Sequence, residues 1–402
     1  MLKTGARIAL FSLIVATAID SSDLRGLAQS PSPSAVMPVF EVDPTWPQLP
    51  NNWVMGIVSS VAVDGRDHVW LLHRPLSVDE NLKSRAAPPV LHFDAQGRFV
   101  GAWGGTGQGF DWPDTPHGIS VDHKSNVWIT GVTFALAPKL LSDDMLVKFT
   151  AEGKFLLQIG GVNVNGGNAD TKNLNRPADT FVYAKTNELF VADGYGNRRV
   201  IVFDADTGAF KRMWGAFGNT PEDGPQGVGS PSPPPAPKVL PPLDTEGPGP
   251  TQFINPLHGI KISNDGLVYV ADRGGRRVQV FTLDGKYVTQ MFINRAGPSR
   301  QSAAGVAFSA DAEQQFLYVA DYGNSRVLVA NRKTLDILYQ FGNRSAAPGD
   351  FRSPHYLASD SKGNLYTVEV APGNRAQKFL YKGTSSTRPP NALTPAQLAV
   401  SQ

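Results

Sequence analysis

The sequence predicts an all-β protein, a six-bladed β-propeller whose ring is closed by an N-terminal strand. Short segments of alternating apolar and polar residues recur with a period of roughly 45 residues, which is typical of repeat folds. Glycine and proline occur 40 and 32 times among 402 residues. Breakers at this density argue against a helical bundle, because each one inside a helix costs ~1–3 kcal/mol. Hydrophobic residues make up 41% of the chain, which excludes a chain that is disordered throughout.

Residues 1–28 are predicted to form a secretory signal. Lys3 and Arg7 precede an apolar and small-residue run at 8–18, and this run is too short to span a bilayer as a mature helix. Cleavage after Ala18 and cleavage after Ala28 both fit. Residues 29–37 then form a flexible leader rich in serine and proline. The mature protein is expected to be secreted or periplasmic, with no membrane span.

The repeat unit is clearest in three copies of a strand that ends in Val-Ala-Asp. These copies occupy residues 189–193, 268–272 and 317–321. Each is followed by a glycine-containing turn, an arginine and a β-branched strand, and looser copies begin at residues 69, 127 and 365. Six units of four strands over residues 38–382 favour a propeller, which closes radially and exposes only short edges. A solenoid is the structural alternative, but it would need capping units that the sequence does not show.

The ends of the repeat region indicate how the ring closes. The sixth unit stops near Lys382 without a fourth strand, and residues 39–42 form an apolar strand with no unit of its own. We therefore expect the N-terminal strand to complete the last blade. Residues 219–251 hold 11 of the 32 prolines and predict an extended loop between blades three and four, either an exposed insertion or a lid. Residues 383–402 are expected to be a disordered tail.

Three of the seven histidines share one position in the repeat. His117, His258 and His355 open the innermost strands of blades two, four and six, so they should point at a common centre from alternate blades. Three neutral imidazoles with an open fourth position are typical of catalytic zinc. We therefore predict a zinc site at these residues. The remaining histidines are expected to be surface or packing residues: His68, His73, His92 and His123.

The ends of the second strands should lie at the same rim. Arg74, Tyr195 and Arg273 occupy this position in blades one, three and four. Arginine binds a carboxylate bidentately, and nearby arginines and a metal are expected to lower the pKa of Tyr195 so that it can transfer protons. The expected substrate is a small molecule or peptide that carries a carboxylate, bound by a monomer. The formal net charge of +2 gives no footprint for nucleic acid, and the absence of cysteine excludes disulfides and thiolate sites.

The repeats resemble the NHL family of propellers, and the rim residues resemble peptidyl-α-hydroxyglycine α-amidating lyase. The resemblance covers about residues 53–380 and is densest at residues 58–74, at 116–119, at 193–197, at 258 with 270–273, and at 354–355. It implies that the three histidines bind zinc, that Tyr195 transfers a proton and that Arg74 and Arg273 are active-site arginines. The reaction it implies is cleavage of a carbinolamide C–N bond to an amide and glyoxylate.

One departure from that family concerns calcium. The aspartate that supplies the channel calcium in the family directly follows the third histidine, and this position is Tyr356 here, which argues against a calcium ion. Two other functions remain open from the sequence. One is a non-catalytic NHL-type propeller that binds a peptide or glycan. The other is a lactonase-like hydrolase, although such enzymes use carboxylate-rich calcium sites that this channel lacks.

Overall fold

A computed structural model describes residues 36–133, 141–223, 245–295, Ser299 and 301–400. Within them the chain forms six antiparallel four-stranded sheets, which confirms the predicted six-bladed propeller. The predicted signal at 1–28, most of the leader and the centre of the 219–251 loop lie outside the described residues. No helix in the described part is long and apolar enough to cross a membrane.

The first three blades follow one another directly along the chain. Blade one contains β2 (Ile57–Val63), β3 (Val69–Arg74), β4 (Val90–Phe93) and β5 (Phe99–Trp103). Blade two contains β6 (Pro116–Val121), β7 (Val127–Gly131), β8 (Asp143–Phe149) and β9 (Phe155–Val162). Blade three contains β10 (Asp179–Tyr183), β11 (Glu188–Asp193), β12 (Arg199–Asp204) and β13 (Phe210–Trp214). Short 3-10 turns at Pro75–Ser77, Glu80–Arg85 and Ala216–Gly218 decorate the connections.

The last three blades continue the same order, and the sixth borrows its outer strand from the N-terminus. Blade four contains β14 (Leu257–Ile262), β15 (Val268–Asp272), β16 (Arg277–Phe281) and β17 (Tyr287–Phe292). Blade five contains β18 (Ala303–Phe308), β19 (Phe316–Asp321), β20 (Arg326–Asn331) and β21 (Ile337–Phe341). Blade six contains β22 (Pro354–Ser359), β23 (Leu365–Glu369), β24 (Arg375–Ser385) and β1 (Met37–Asp43).

β1 closes the ring as the sequence predicts. It pairs antiparallel with β24, and Phe40 lies opposite Tyr381. The Phe40 ring is buried, with only 4% of its surface exposed, and it also contacts Tyr318 and Phe341 of blade five. The N-terminal strand therefore joins two blades through aromatic packing as well as through backbone hydrogen bonds.

The C-terminal segment differs from the expected disordered tail. β24 continues to Ser385, because β1 offers it a partner from Lys378 to Ser385. Further on, the Leu393 backbone N–H donates to the Gln340 carbonyl, and the Leu393 side chain is buried. A short helix, α1, covers Pro395–Val400. The order comes from contacts with blade five that local composition does not reveal.

The Asp and Arg of the repeat form buried ion pairs that position the rim. Arg199 contacts Asp193 at 2.9 Å and Arg277 contacts Asp272 at 2.8 Å, and all four side chains are fully buried. Each aspartate also accepts a backbone N–H from the loop that leads into the inner strand of its own blade. These carboxylates therefore hold the loops at the end of the propeller channel where the predicted site residues lie.

Candidate active site

The structure brings the three predicted zinc histidines together. His117 lies in β6, His258 in β14 and His355 in β22, and all three side chains are buried. Their ring centroids are 4.5 to 4.9 Å apart. Alternate blades thus deliver the same residue of the inner strand to the axis of the ring.

A backbone carbonyl of the next blade orients each imidazole. Nδ1 contacts the carbonyl oxygen of Ala178 at 2.9 Å for His117, of Ala304 at 2.7 Å for His258 and of Ser59 at 2.7 Å for His355. Because a carbonyl can only accept, Nδ1 of each ring is the protonated nitrogen and Nε2 carries the lone pair. Such a bond on the far nitrogen is the usual support of a metal-binding histidine.

The three Nε2 atoms converge on one point. Ligand nitrogens of the three histidines lie within 4.8 Å of one another, and Nε2 of His258 is 3.0 Å from Nε2 of His355. Burial holds the pKa of each of the three imidazoles well below its usual range, and the neighbouring cationic side chain of Arg273 acts in the same direction. Neutral imidazoles whose lone pairs face each other fit a divalent cation, and this donor set suits zinc.

Tyr195 reaches this cluster from the turn after β11. Its hydroxyl is 3.0 Å from Nε2 of His117 and accepts a hydrogen bond of 3.2 Å from Nη1 of Arg273. Gly194 permits this approach, because a Cβ at that position would lie 1.8 Å from the carbonyl oxygen of Leu257. The chain can therefore bring the end of β11 against the start of β14, where His258 lies.

Burial and the neighbouring arginines act in opposite directions on the pKa of Tyr195. Burial raises the pKa above its usual value near 10, and the charges of Arg273 and Arg74 oppose this shift without cancelling it. In this protein environment Tyr195 is therefore a neutral phenol at physiological pH, able to donate a proton.

The two predicted arginines lie beside Tyr195. Arg273 donates to Oε1 of Gln301 from Nε at 3.0 Å and from Nη2 at 2.5 Å, and its guanidinium stacks 4.0 Å from the ring centre of Tyr322. Arg74 donates from Nε to the carbonyl of Pro116 at 3.0 Å. The structure thus brings together all six predicted site residues: His117, His258, His355, Tyr195, Arg74 and Arg273.

Sequence reasoning missed Gln301 and Tyr322. Tyr322 directly follows Asp321 at the end of β19, which is the position that Arg273 holds after Asp272 in blade four. The position of Tyr322 in its repeat unit would therefore have been enough to predict that it lies at this rim. Gln301 precedes β18 in a connection without a repeat counterpart, so no sequence pattern marks it.

The channel below the histidines does not fit the calcium site that the resemblance implies. The Tyr356 hydroxyl lies 3.1 Å from the carbonyl oxygen of Ala178 and 3.0 Å from that of His258, and can donate to them. The buried carboxylate of Asp179 comes from blade three and pairs with Lys261 at 2.9 Å. A calcium ion at this level would compete with a hydroxyl and an ammonium group for these oxygens. Beyond them a cavity of about 430 Å³, lined in part by Lys261 and Phe181, opens at the opposite end of the inner strands.

The fold defines a class, the six-bladed β-propellers, and the NHL repeat family model matches residues 257–281 within blade four. At low identity the chain also resembles proteins that are named as amidating enzymes. It is 27% identical over 362 residues to peptidyl-glycine alpha-amidating monooxygenase B of Xenopus laevis, covering 85% of this chain and 35% of that protein. The chain thus spans about a third of the length of that relative.

Two further relatives have names that do not mention a monooxygenase. NHL repeat-containing protein 3 of Homo sapiens is 26% identical over 352 residues, covering 85% of this chain and 84% of that protein. A probable peptidyl-alpha-hydroxyglycine alpha-amidating lyase of Caenorhabditis elegans is 24% identical over 258 residues, covering 64% of this chain and 61% of that protein. These similarities support a lyase-like propeller.

Proposed function

We propose that this protein is an exported, zinc-dependent lyase that cleaves a peptidyl-α-hydroxyglycine-like carbinolamide to an amide and glyoxylate. The observation that carries the proposal is the convergence of one ligand nitrogen from each of three oriented imidazoles within 4.8 Å, with a phenol in contact with His117 and an arginine in contact with that phenol. The relatives that are named as amidating lyases support the reaction class. Export rests on the predicted signal at residues 1–28, and we propose a monomer in the periplasm or outside the cell.

His117, His258 and His355 would hold the zinc ion. When bound, zinc supplies Lewis acidity, which lowers the pKa of a substrate hydroxyl at the open position. The bonds from Nδ1 to the carbonyls keep the rings in place, so that little reorganisation accompanies binding. Calcium has no role in the proposed site, and a calcium-selective chelator should leave the melting temperature of the protein unchanged.

The arginines bind the substrate carboxylate. Arg273 is held on one side by Gln301 and on its face by Tyr322, so its guanidinium is already oriented before substrate arrives. Arg74 brings a second positive charge to the same rim. Two cations beside one carboxylate fix the direction of the bond that breaks and select substrates with a free carboxyl group.

Tyr195 moves the proton. As the C–N bond breaks, its electron pair passes to the amide nitrogen, and the phenol donates a proton to that nitrogen. The hydroxyl oxygen of the substrate becomes the carbonyl oxygen of glyoxylate, and its proton restores the phenol. Water is not consumed, and Tyr195 ends in the state in which it began. A pKa above the usual value favours the protonated phenol that this cycle requires.

The test compares zinc content with glyoxylate release from a peptide that ends in α-hydroxyglycine. We expect His355→Ala to lose one zinc per chain and all activity relative to His123→Ala, an exposed histidine outside the site. Tyr195→Phe should keep the zinc and lose the activity. Zinc without glyoxylate release would contradict the proposed substrate. Equal zinc content in His355→Ala and His123→Ala would contradict the metal site and favour a non-catalytic propeller that binds a peptide or glycan.

A further inference from the structure

We propose that Asp64, His68 and His92 form a second metal site, which takes a divalent transition-metal ion such as zinc. Asp64 follows β2, His68 precedes β3 and His92 lies in β4, at the end of blade one opposite to the active-site histidines. One ligand atom from each residue lies within 4.8 Å of the others. Nδ1 of His68 and Nε2 of His92 are only 2.8 Å apart.

The repeat itself shows that the fold does not need these histidines. In blades two and six the aspartates Asp122 and Asp360 hold the equivalent hairpin turn. The residue equivalent to His68 in those turns is Asn126 or Asn364, whose amide donates to the aspartate. Blade one therefore keeps the aspartate of the turn and replaces its asparagine partner by histidine.

The second histidine is a separate departure from the repeat. His92 pairs with Trp70 across the strands and stacks on its indole, with ring centres 3.7 Å apart. The equivalent positions in blades two and six are Lys148 and Lys378, which place an ammonium over Trp128 and Tyr366. A lysine at this position thus covers the aromatic ring equally well, and packing does not require a histidine there. Histidine at both positions of one blade brings two imidazoles to the carboxylate.

The carboxylate of Asp64 is oriented and still has capacity to bind. Oδ1 accepts the backbone N–H groups of Arg66 and His68 at 2.8 and 3.0 Å, and Oδ2 accepts the Trp70 indole N–H at 3.1 Å. A carboxylate offers about four lone-pair positions, so one remains for a metal. The guanidinium of Arg66 lies 3.6 Å from Oδ2 and its side chain is 58% exposed, which allows it to turn into solvent when a cation binds.

Each of the two imidazoles can present a lone pair to a metal ion. In the described part of the chain, Nε2 of His68 and Nδ1 of His92 have no hydrogen-bond partner, so each ring can take the tautomer that turns a lone pair to the metal. His68 is partly exposed, which lets an ion enter from solvent. Two imidazole nitrogens and one carboxylate oxygen form a donor set that suits zinc, copper or nickel, with water in the remaining positions.

The experiment separates this site from the active-site metal. The full chain is stripped with a chelator, loaded with zinc and desalted, and its zinc content is measured. We expect two zinc ions per chain in the wild type, one in His258→Ala and one in His92→Lys. The variant with both substitutions should bind none. His68→Asn and His92→Lys install the residues of the other blades, so far-UV circular dichroism should remain that of the wild type.

Two results would overturn the proposal. One is equal zinc content in the wild type and in His92→Lys. The other is equal zinc content in His258→Ala with and without His92→Lys. A chain that loses zinc on His92→Lys but not on His258→Ala would support the second site and contradict the active-site metal, so the two failures can be told apart.

Discussion

The hydroxyl of Tyr195 lies 3.0 Å from Nε2 of His117, the atom through which this histidine would bind zinc. A lone pair that accepts from the phenol is not free for a metal. Zinc binding would therefore end this hydrogen bond and leave the phenol, still contacted by Arg273, available to the substrate.

Tyr195→Phe should accordingly bind zinc at least as tightly as the wild type, because the phenol no longer occupies Nε2 of His117. Its turnover should fall by a factor of about 10²–10⁴, the usual contribution of a positioned acid–base group. A zinc titration and a glyoxylate assay on one preparation measure both effects. Tyr381→Phe, in blade six and away from the channel, is the control. A Tyr195→Phe enzyme with wild-type turnover would contradict the assigned role.

Gln301→Leu should weaken the binding of the carboxylate by releasing Arg273. Oε1 of Gln301 receives two hydrogen bonds from that guanidinium. We expect KM for the hydroxyglycine peptide to rise about tenfold, equivalent to ~1.4 kcal/mol, with kcat and zinc content changed little. Gln301→Glu should also raise KM, because a carboxylate beside Arg273 would neutralise the guanidinium and repel the substrate carboxylate. Equal effects on KM and kcat would indicate that Gln301 does more than position Arg273.

Lys261→Met should destabilise the protein strongly. Asp179 is 1% exposed and has Lys261 as its ionic partner, and breaking a buried pair on one side typically costs about 3–5 kcal/mol. Burial already raises the pKa of Asp179, so its proton uptake would limit the loss. Asp179→Asn combined with Lys261→Met should recover much of the stability. Urea unfolding of the two variants measures this, and additive losses would contradict a coupled pair.

His73 should make the stability depend on pH. The side chain is fully buried, and burial lowers its pKa from 6.5 to about 4. Between these values the unfolded chain binds a proton that the folded chain does not, so the free energy of unfolding falls as the pH falls. The loss reaches about 3 kcal/mol near pH 4. His73→Gln should remove this part of the pH dependence, whereas His123→Gln should not. If the free energy of unfolding depends on pH in the same way for the wild type and for His73→Gln, the role assigned to His73 is wrong.

Phe40→Ala should lower the stability by about 3–5 kcal/mol, the usual range for a large buried aromatic side chain. The ring is 4% exposed and packs between two blades. Val36→Ala, at a position that is 45% exposed, should change the stability by less than about 0.5 kcal/mol. Thermal unfolding of both variants provides the comparison. A similar melting temperature for Phe40→Ala and wild type would show that β1 contributes little to closure.

The repeat made much of the architecture predictable. Each inner strand starts at the same end of the ring. The shared position of His117, His258 and His355 in their repeat units was therefore enough to predict that the three side chains lie close together. The unpaired apolar strand before the first unit likewise indicated β1 as the partner of β24. Both inferences use chain order and strand direction, which a propeller converts directly into location.

The contacts that depend on neighbouring blades were not predictable. Lys261 and Asp179 belong to different blades and follow no repeat pattern, so only the folded channel reveals their pairing. The burial that raises the pKa of Tyr195 against the charges of the nearby arginines was likewise not predictable, because the sequence shows the arginines but not the packing around the phenol. His68 and His92 were read as ordinary residues because they are 24 positions apart and meet only across a hairpin.

The pairing of Met37 with Ser385 also sets the order of events during synthesis. Among the described strands β1 precedes all the others and its partner β24 follows them all, so β1 waits longest for its partner. Until then blade six is a three-stranded sheet with an open edge, which is a template for the β1 of a second copy. Such long-range pairing is slow compared with hairpin formation. Concentrated refolding should therefore favour strand-exchanged dimers, and dilute refolding should favour monomers.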